Sequence, residues 1–164
     1  MLYVRVFKKK RLDMKSKQVL SIDQMKHLRE LGLDTSDASM YWARVSHGSR
    51  VDDKSKGKWF LSLQKEFQVC GFMSYESIPT YTLQDILDKL PSYITYNDEE
   101  YQLQILPPCI CYRYVNYTFD DLDYKNNVDI LENAYNMLCW CIENGYILKR
   151  VNNESENKRN WRNN

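Results

Sequence analysis

The longest strongly helical segment of the chain, residues 128–147, constrains the fold more than any other feature. It is apolar over most of its length. Asn126 or Asn127 can cap its start, and Gly145 can end it in the left-handed conformation. We predict a helix over residues 127–144 with one face packed on a sheet. The predicted face consists of Val128, Leu131, Ala134, Tyr135, Leu138 and Ile142.

Two shorter helices are indicated by capping boxes. Ser21 is followed three residues later by Gln24, and Thr82 is followed in the same way by Asp85. In this motif the two side chains satisfy backbone amides that the first helical turn would leave unpaired. Apolar residues then recur at helical spacing after each box. The predicted helices span residues 21–31 and 83–90.

Aromatic and alternating segments between the helices predict strands over residues 40–45, 59–63, 93–96, 101–105 and 109–117. The polar residues 97–100 predict a four-residue hairpin loop, and residues 120–123 predict an acidic turn. The apolar stretch 64–81 has no clear period and is predicted as a bulged strand followed by a loop. The fold class is therefore α+β, an antiparallel sheet of about five strands with three helices packed mainly on one face.

The length of 164 residues is that of one domain. We expect this single α+β domain over residues 14–151. Residues 1–13 contain a basic run and precede a second methionine, so we interpret them as a peripheral extension. Residues 152–164 consist mostly of Asn, Glu, Lys and Arg, a composition typical of a disordered polar tail.

The charge balance excludes two large classes of partner. The chain has 23 Lys and Arg against 22 Asp and Glu, so it lacks the basic excess typical of duplex-DNA and anionic-membrane binders.

No apolar run approaches the roughly 18 residues of a membrane helix. Five cysteines occur without a convincing secretory signal, which indicates reduced thiols. We therefore expect a cytoplasmic protein with no membrane partner, and its oligomeric state stays open.

Two Cys-x-Cys pairs are the strongest candidates for a metal site. Cys109 and Cys111 lie on a predicted strand, where residues two apart share a face. Cys139 and Cys141 lie on a predicted helix, where the same spacing separates them by about 200°. The two pairs therefore cannot form one four-cysteine zinc site, and cysteine is also common as a small buried apolar residue. We expect no metal.

Nothing in the sequence has the pattern of a catalytic site. His27 lies off the apolar stripe of the first helix and is predicted to be exposed, and His47 lies at the base of a polar loop. Neither is near a nucleophile motif, and the paired carboxylates fall in predicted turns. With five glycines the chain has no glycine-rich phosphate loop. We expect no enzyme activity and no cofactor.

The remaining positive signal is tyrosine. Tyr112 and Tyr114 share one face of the predicted strand 109–117, and Arg113 lies on the other face. Stacked aromatic rings with arginine can hold single-stranded nucleic acid, and tyrosine is also enriched in protein interfaces. Tyrosines of the core or of a half-exposed sheet are the third interpretation. The candidate binding residues are Tyr112, Tyr114, Arg113, Arg50, Lys56 and Lys58.

Three stretches in order, residues 22–42, 79–91 and 131–147, resemble small uncharacterised proteins encoded by phages and prophages of gut bacteria, especially Bacteroides-like hosts. The resemblance covers roughly residues 20–147. It implies a cytoplasmic, phage-related context and supplies no catalytic residues. The leading hypothesis is a non-catalytic phage or prophage accessory protein that acts by binding another protein. The alternative is an accessory factor that binds nucleic acid through tyrosine-rich strands.

Overall fold

The structure is a computed structural model that describes residues 18–47, 57–63, 74–116 and 120–148. Several predictions fall outside the described residues: the extension 1–13, the tail 152–164, and the candidate residues Arg50 and Lys56. Of residues 64–81, predicted as a bulged strand followed by a loop, only the part from residue 74 onward is described.

Three helices begin at side-chain caps. They are α1 (Ile22–Glu30), α2 (Leu83–Lys89) and α3 (Ile130–Glu143). The capping boxes at Ser21 and Thr82 are both present, as predicted. Helix α3 is capped by Asp129, whose carboxylate accepts from the Leu131 amide at 3.0 Å, and not by an asparagine before it. Val128 therefore precedes the helix and is 69% exposed, so its place in the predicted face was wrong. None of these helices has the length and apolar run that crossing a membrane requires.

Seven described strands form two antiparallel sheets where the sequence predicts one sheet of about five strands. The strands are β1 (Met40–His47), β2 (Phe60–Ser62), β3 (Ser74–Thr80), β4 (Tyr93–Tyr96), β5 (Glu99–Leu106), β6 (Cys109–Tyr114) and β7 (Asp121–Lys125). The small sheet has the order β2-β1-β3, and the large sheet has the order β4-β5-β6-β7. The α+β class and the three helices are confirmed, and the single sheet is corrected to two.

Strand β7 replaces the predicted acidic turn at residues 120–123. It pairs antiparallel with β6 and forms an edge of the large sheet. The carboxylates of this strand are neutralised locally, since Asp121 pairs with Arg113 and the Asp123 carboxylate lies 2.8 Å from the Lys125 ammonium. An acidic run can therefore form a strand here without unbalanced charge, a fact that local composition does not reveal.

The loop between β4 and β5 is shorter than the predicted four residues. Asn97 and Asp98 have φ values of 50° and 64°, and the strands extend to the residues on either side of them. Asparagine and aspartate tolerate this left-handed conformation, which matches the twist of a two-residue hairpin. The hairpin itself, and its antiparallel pairing, are as predicted.

The core lies between the helices and one face of the large sheet, which we call the inner face. Its strand residues include Ile94, Tyr101, Ile110 and Tyr112. Helix α3 lies at the centre of this core and is buried on both sides. Its sheet side places the Cys141 sulfur 3.8 Å from the hydroxyl of Tyr112. Its opposite side meets α1, where Gln24 Nε2 donates to Glu132 Oε2 at 2.9 Å.

One buried polar side chain fixes α3 on the sheet. Asn133 is 1% exposed, and its Nδ2 donates to the carbonyls of Pro108 at 2.7 Å and Asn127 at 2.9 Å. Its Oδ1 accepts from the Asn127 amide at 2.7 Å. These bonds connect the helix to the turn between β5 and β6 and to the loop that precedes α3. A fully satisfied buried amide of this kind specifies one position of the helix.

We expect Asn133→Ala to lower the free energy of unfolding by about 3 kcal/mol, because it leaves buried backbone groups without partners. Urea unfolding followed by circular dichroism measures this change. The matched control is Asn136→Ala on the same helix, whose side chain makes none of these contacts, and we expect a change within about 0.5 kcal/mol. Equal losses in the two variants would contradict the role assigned to Asn133.

Candidate interaction surface

The two faces of the large sheet differ in what covers them. Alternation along the strands and the strand register place eleven side chains on the face opposite the core. We call this the outer face, and its residues are Tyr93, Thr95, Glu100, Gln102, Gln104, Leu106, Cys109, Cys111, Arg113, Asp121 and Tyr124. In the described part of the chain the helices pack on the inner face instead. The outer face is therefore the larger uncovered sheet surface of the described residues.

Large apolar side chains are exposed across the outer face. Tyr93 is 51% exposed, Tyr124 is 47% exposed and Leu106 is 56% exposed. The tyrosine rings are held by hydrogen bonds, since Gln102 Nε2 donates to the Tyr93 hydroxyl at 3.2 Å and the Tyr124 hydroxyl donates to Cys109 Sγ at 3.2 Å. Single exposed apolar residues are ordinary on a protein surface. What distinguishes these three is that they share one face of one sheet.

At the centre of the outer face, Arg113 and Asp121 pair with each other, and the exposed Glu100 lies towards the β4–β5 end. Arg113 Nε donates to Asp121 Oδ1 at 2.8 Å, and its Nη2 donates to Asp121 Oδ2 at 3.1 Å. This two-point geometry holds the guanidinium in the plane of the carboxylate. The guanidinium therefore already has an anionic partner, and the centre of the outer face is close to neutral.

The two cysteines of β6 share the outer face, as strand alternation predicts. Cys111 is 1% exposed, and burial together with the nearby Asp121 carboxylate raises the pKa of its thiol. Cys109 is partly exposed, and its Sγ donates to Asn126 Oδ1 at 3.2 Å. Among the described residues, no three side chains of His, Cys, Asp or Glu are grouped so that they could hold a metal ion.

The candidate residues named from the sequence do not form one site. Tyr112 and Tyr114 do share a face, but it is the inner face. Tyr112 is fully buried, with its hydroxyl donating to the Pro91 carbonyl at 2.7 Å, so its assignment as a binding residue is corrected. Tyr114 is half-buried, with its ring centroid 5.6 Å from that of Tyr101. Lys58 is exposed and precedes strand β2 of the small sheet, whereas these tyrosines belong to the large sheet.

Tyr124 is the residue that sequence reasoning missed. The turn predicted over residues 120–123 places Tyr124 outside every predicted strand. A signal was nonetheless present, since Leu122 and Tyr124 alternate with charged residues over 121–125. Period-two alternation of that kind is typical of an edge strand with one exposed face.

A second cluster lies between α1 and α3. His27 Nδ1 is 2.6 Å from the Tyr135 hydroxyl and 3.8 Å from Cys139 Sγ. His27 is therefore not the exposed residue that the sequence predicts, because α3 packs over its side of α1. Burial raises the pKa of Cys139 to about 11, so the sulfur is a thiol at neutral pH. The cluster lacks the lowered thiol pKa that an activated nucleophile requires.

We expect Cys109 to react with iodoacetamide at least about tenfold faster than Cys139 and Cys141 in the folded protein, because the latter two are buried thiols. Burial raises their pKa values to about 11 and about 12. Peptide mass spectrometry at pH 7.5 measures the rates, in a Cys70→Ser background because residue 70 lies outside the described residues. The same measurement in urea is the control, where the three rates should converge. Fast labelling of Cys139 in the folded protein would contradict its packing.

Comparison of the chain with protein-family models, curated proteins and solved structures found no match. The resemblance to phage and prophage proteins therefore stays a prediction. The outer face and the contacts around it are the basis for any inference about function.

Proposed function

We propose that this protein acts without catalysis, by binding another protein through the outer face. The observation that carries the proposal is the one-sided covering of the large sheet. Among the described residues, helices cover most of the inner face, where Tyr96 and Ile105 near the strand ends are still 46% and 39% exposed, whereas Tyr93, Leu106 and Tyr124 are each about half exposed on the outer face. Burial of these outer side chains by a partner would lower the free energy of the complex.

The composition of the outer face is that of a protein interface. Tyrosine supplies a rigid apolar ring and a hydroxyl that can bond to a partner, and the centres of interfaces are depleted in unpaired charge. Here Arg113 and Asp121 neutralise each other. The complementary partner surface therefore needs aliphatic side chains and hydrogen-bond acceptors but no strong opposite charge.

Two residues, Tyr112 and Arg113, are poorly placed for the alternative function of nucleic-acid binding. Tyr112 belongs to the core and offers no ring for stacking with a base. Arg113 is already paired with the Asp121 carboxylate, which offsets the positive charge that would attract a phosphate. Tyr114, which is half-buried against Tyr101, and Lys58 are the other candidate residues among those described. Protein binding is therefore the better-supported hypothesis, in the cytoplasmic phage-related setting that the resemblance implies.

A photo-crosslinking amino acid placed at position 124 or position 93 tests the proposal in the cells in which the protein occurs. We expect both positions to give an adduct with the same partner polypeptide, because both lie on one face. The control position is 84, where Gln84 is exposed on α2 and away from the outer face. It should give no such adduct.

The substitution Leu106→Asp sharpens this test. Leu106 is 56% exposed, so the change should leave the stability of the fold nearly intact. It places a carboxylate among the apolar side chains of the proposed contact, and we expect the yield of the adduct from position 124 to fall about tenfold. Equal adduct yields at positions 84 and 124, or an unchanged yield in the Leu106 variant, would exclude this face as the binding surface.

A further inference from the structure

A cavity of about 560 Å³ lies at the end of the helical layer, away from the outer face. Its volume falls within the range of roughly 300 to 1,000 Å³ typical of small-ligand sites. One part of its wall is apolar and includes Leu33, Pro91, Tyr146 and Leu148. The other part is polar and includes Asp37. The cavity is thus suited to a ligand that has an apolar body and a polar head.

All three helices end at this cavity. In α1 and α3 the amide of the second residue after the cap donates to the carbonyl five positions back, at 3.0 Å for Leu33 and 2.9 Å for Tyr146. Each bond closes a turn around a left-handed glycine, Gly32 or Gly145. These two bonded residues line the cavity, and so does Lys89, the last residue of α2.

The carboxyl ends of helices that meet at the cavity make its electrostatic potential more negative. The end of each helix carries a partial negative charge of roughly half an elementary charge, which attracts cations within about one turn. Helix α3 has no basic residue in its last turn to offset this charge, whereas α1 has Arg29 and α2 has Lys89 there. The end of α3 therefore contributes the helix-end preference for a positively charged group.

The polar wall is held in place by a buried tyrosine. Tyr81 is fully buried, and its hydroxyl lies 2.8 Å from Asp37 Oδ1 and 2.9 Å from the Asp34 carbonyl. Lys89 Nζ lies 2.5 Å from Asp37 Oδ2 and 5.0 Å from the centroid of the Tyr81 ring. Burial alone would raise the pKa of Asp37, but the hydrogen bonds from Lys89 and Tyr81 outweigh it and lower the pKa. The carboxylate is thus ionised and fixed before any ligand arrives.

The side chains add to the negative potential. Two aspartates, Asp34 and Asp37, line the cavity against one lysine. The side chain of Lys89 is only 16% exposed, whereas that of Asp37 is 60% exposed. A molecule entering the cavity therefore meets the carboxylate more than the ammonium.

We propose that this cavity binds an amphipathic cation, with an ammonium or guanidinium group at Asp37 and an apolar chain against Leu33, Tyr146 and Leu148. The apolar wall supplies the burial of the chain, and the fixed carboxylate together with the end of α3 selects the sign of the head group. The proposal does not depend on the outer face, because the cavity is formed by the helix ends on the inner side of the large sheet.

Hexylammonium, hexanoate and hexanol are matched probes, since they share the apolar chain and differ in the charge of the head group. Titration into ¹⁵N-labelled protein at pH 7 should move the amide signals of residues 33–37 and 146–148. We expect hexylammonium to bind at least about tenfold more tightly than hexanoate, with hexanol between them. Equal affinity for the three probes, stronger binding of hexanoate, or signal changes confined to other residues would overturn the proposal.

Two variants locate the head group and the chain. Asp37→Asn should weaken hexylammonium binding about tenfold and leave hexanol binding nearly unchanged. The control is Asp88→Asn on α2, whose carboxylate bonds to Gln84 and is exposed, and it should bind as the unmodified protein does. Leu148→Gln changes a residue that is 93% exposed, so the fold is preserved, and it should weaken both probes. An unchanged affinity in both the Asp37 and Leu148 variants would overturn the assignment.

Two sources could supply this chemistry, a free alkylamine or a basic side chain of a peptide. Acetyl-Leu-Lys-Leu-amide and its norleucine analogue distinguish them. Tighter binding of the lysine peptide than of hexylammonium would assign the head group to a protein side chain, and the reverse order would assign it to a small amine. Failure of the crosslinking test on the outer face would leave all of these results unaffected.

Discussion

The burial of α3 on two sides is the constraint on which the rest of the structure depends. One side of this helix packs on the large sheet, and the other packs on α1 and α2. A helix in that position must be apolar almost all round, which is why cysteines on opposite sides of it, Cys139 and Cys141, are both buried. The single polar residue buried in it, Asn133, bonds to the turn between β5 and β6 and to the loop that precedes α3.

Because of that arrangement, the described helices cover one face of the large sheet and not the other. Because α3 and its neighbours occupy the inner face, the side chains that alternate with the core residues along β4 to β7 remain on the other side. Those side chains include Tyr93 and Tyr124, and they carry the proposed protein interface. The same layer of helices also brings three carboxyl ends to one edge, where the cavity lies. Both proposed sites therefore result from the packing of the helices on the inner face, and they lie on different surfaces.

Sequence patterns located the elements whose signals are local. Capping boxes at Ser21 and Thr82 placed α1 and α2, and apolar periodicity placed α3. Errors arose where a distant partner decides the outcome. The acidic residues of β7 form a strand because Arg113 and Lys125 neutralise them, and Tyr112 is a core residue because α3 covers its face. The pairing of Arg113 with Asp121 and the covering of Tyr112 by α3 both depend on contacts that no short segment of the sequence specifies.

The sequence by itself determined the α+β class, the three helices and the alternation of Tyr112 and Tyr114 with Arg113 along β6, since each depends on residues within a few positions of one another. Only the tertiary structure decided which side of the sheet the helices cover. Alternation assigns residues to two faces but does not say which face is buried, because that depends on where a helix from another part of the chain packs. This choice placed the predicted tyrosines in or against the core and left Tyr93 and Tyr124 exposed.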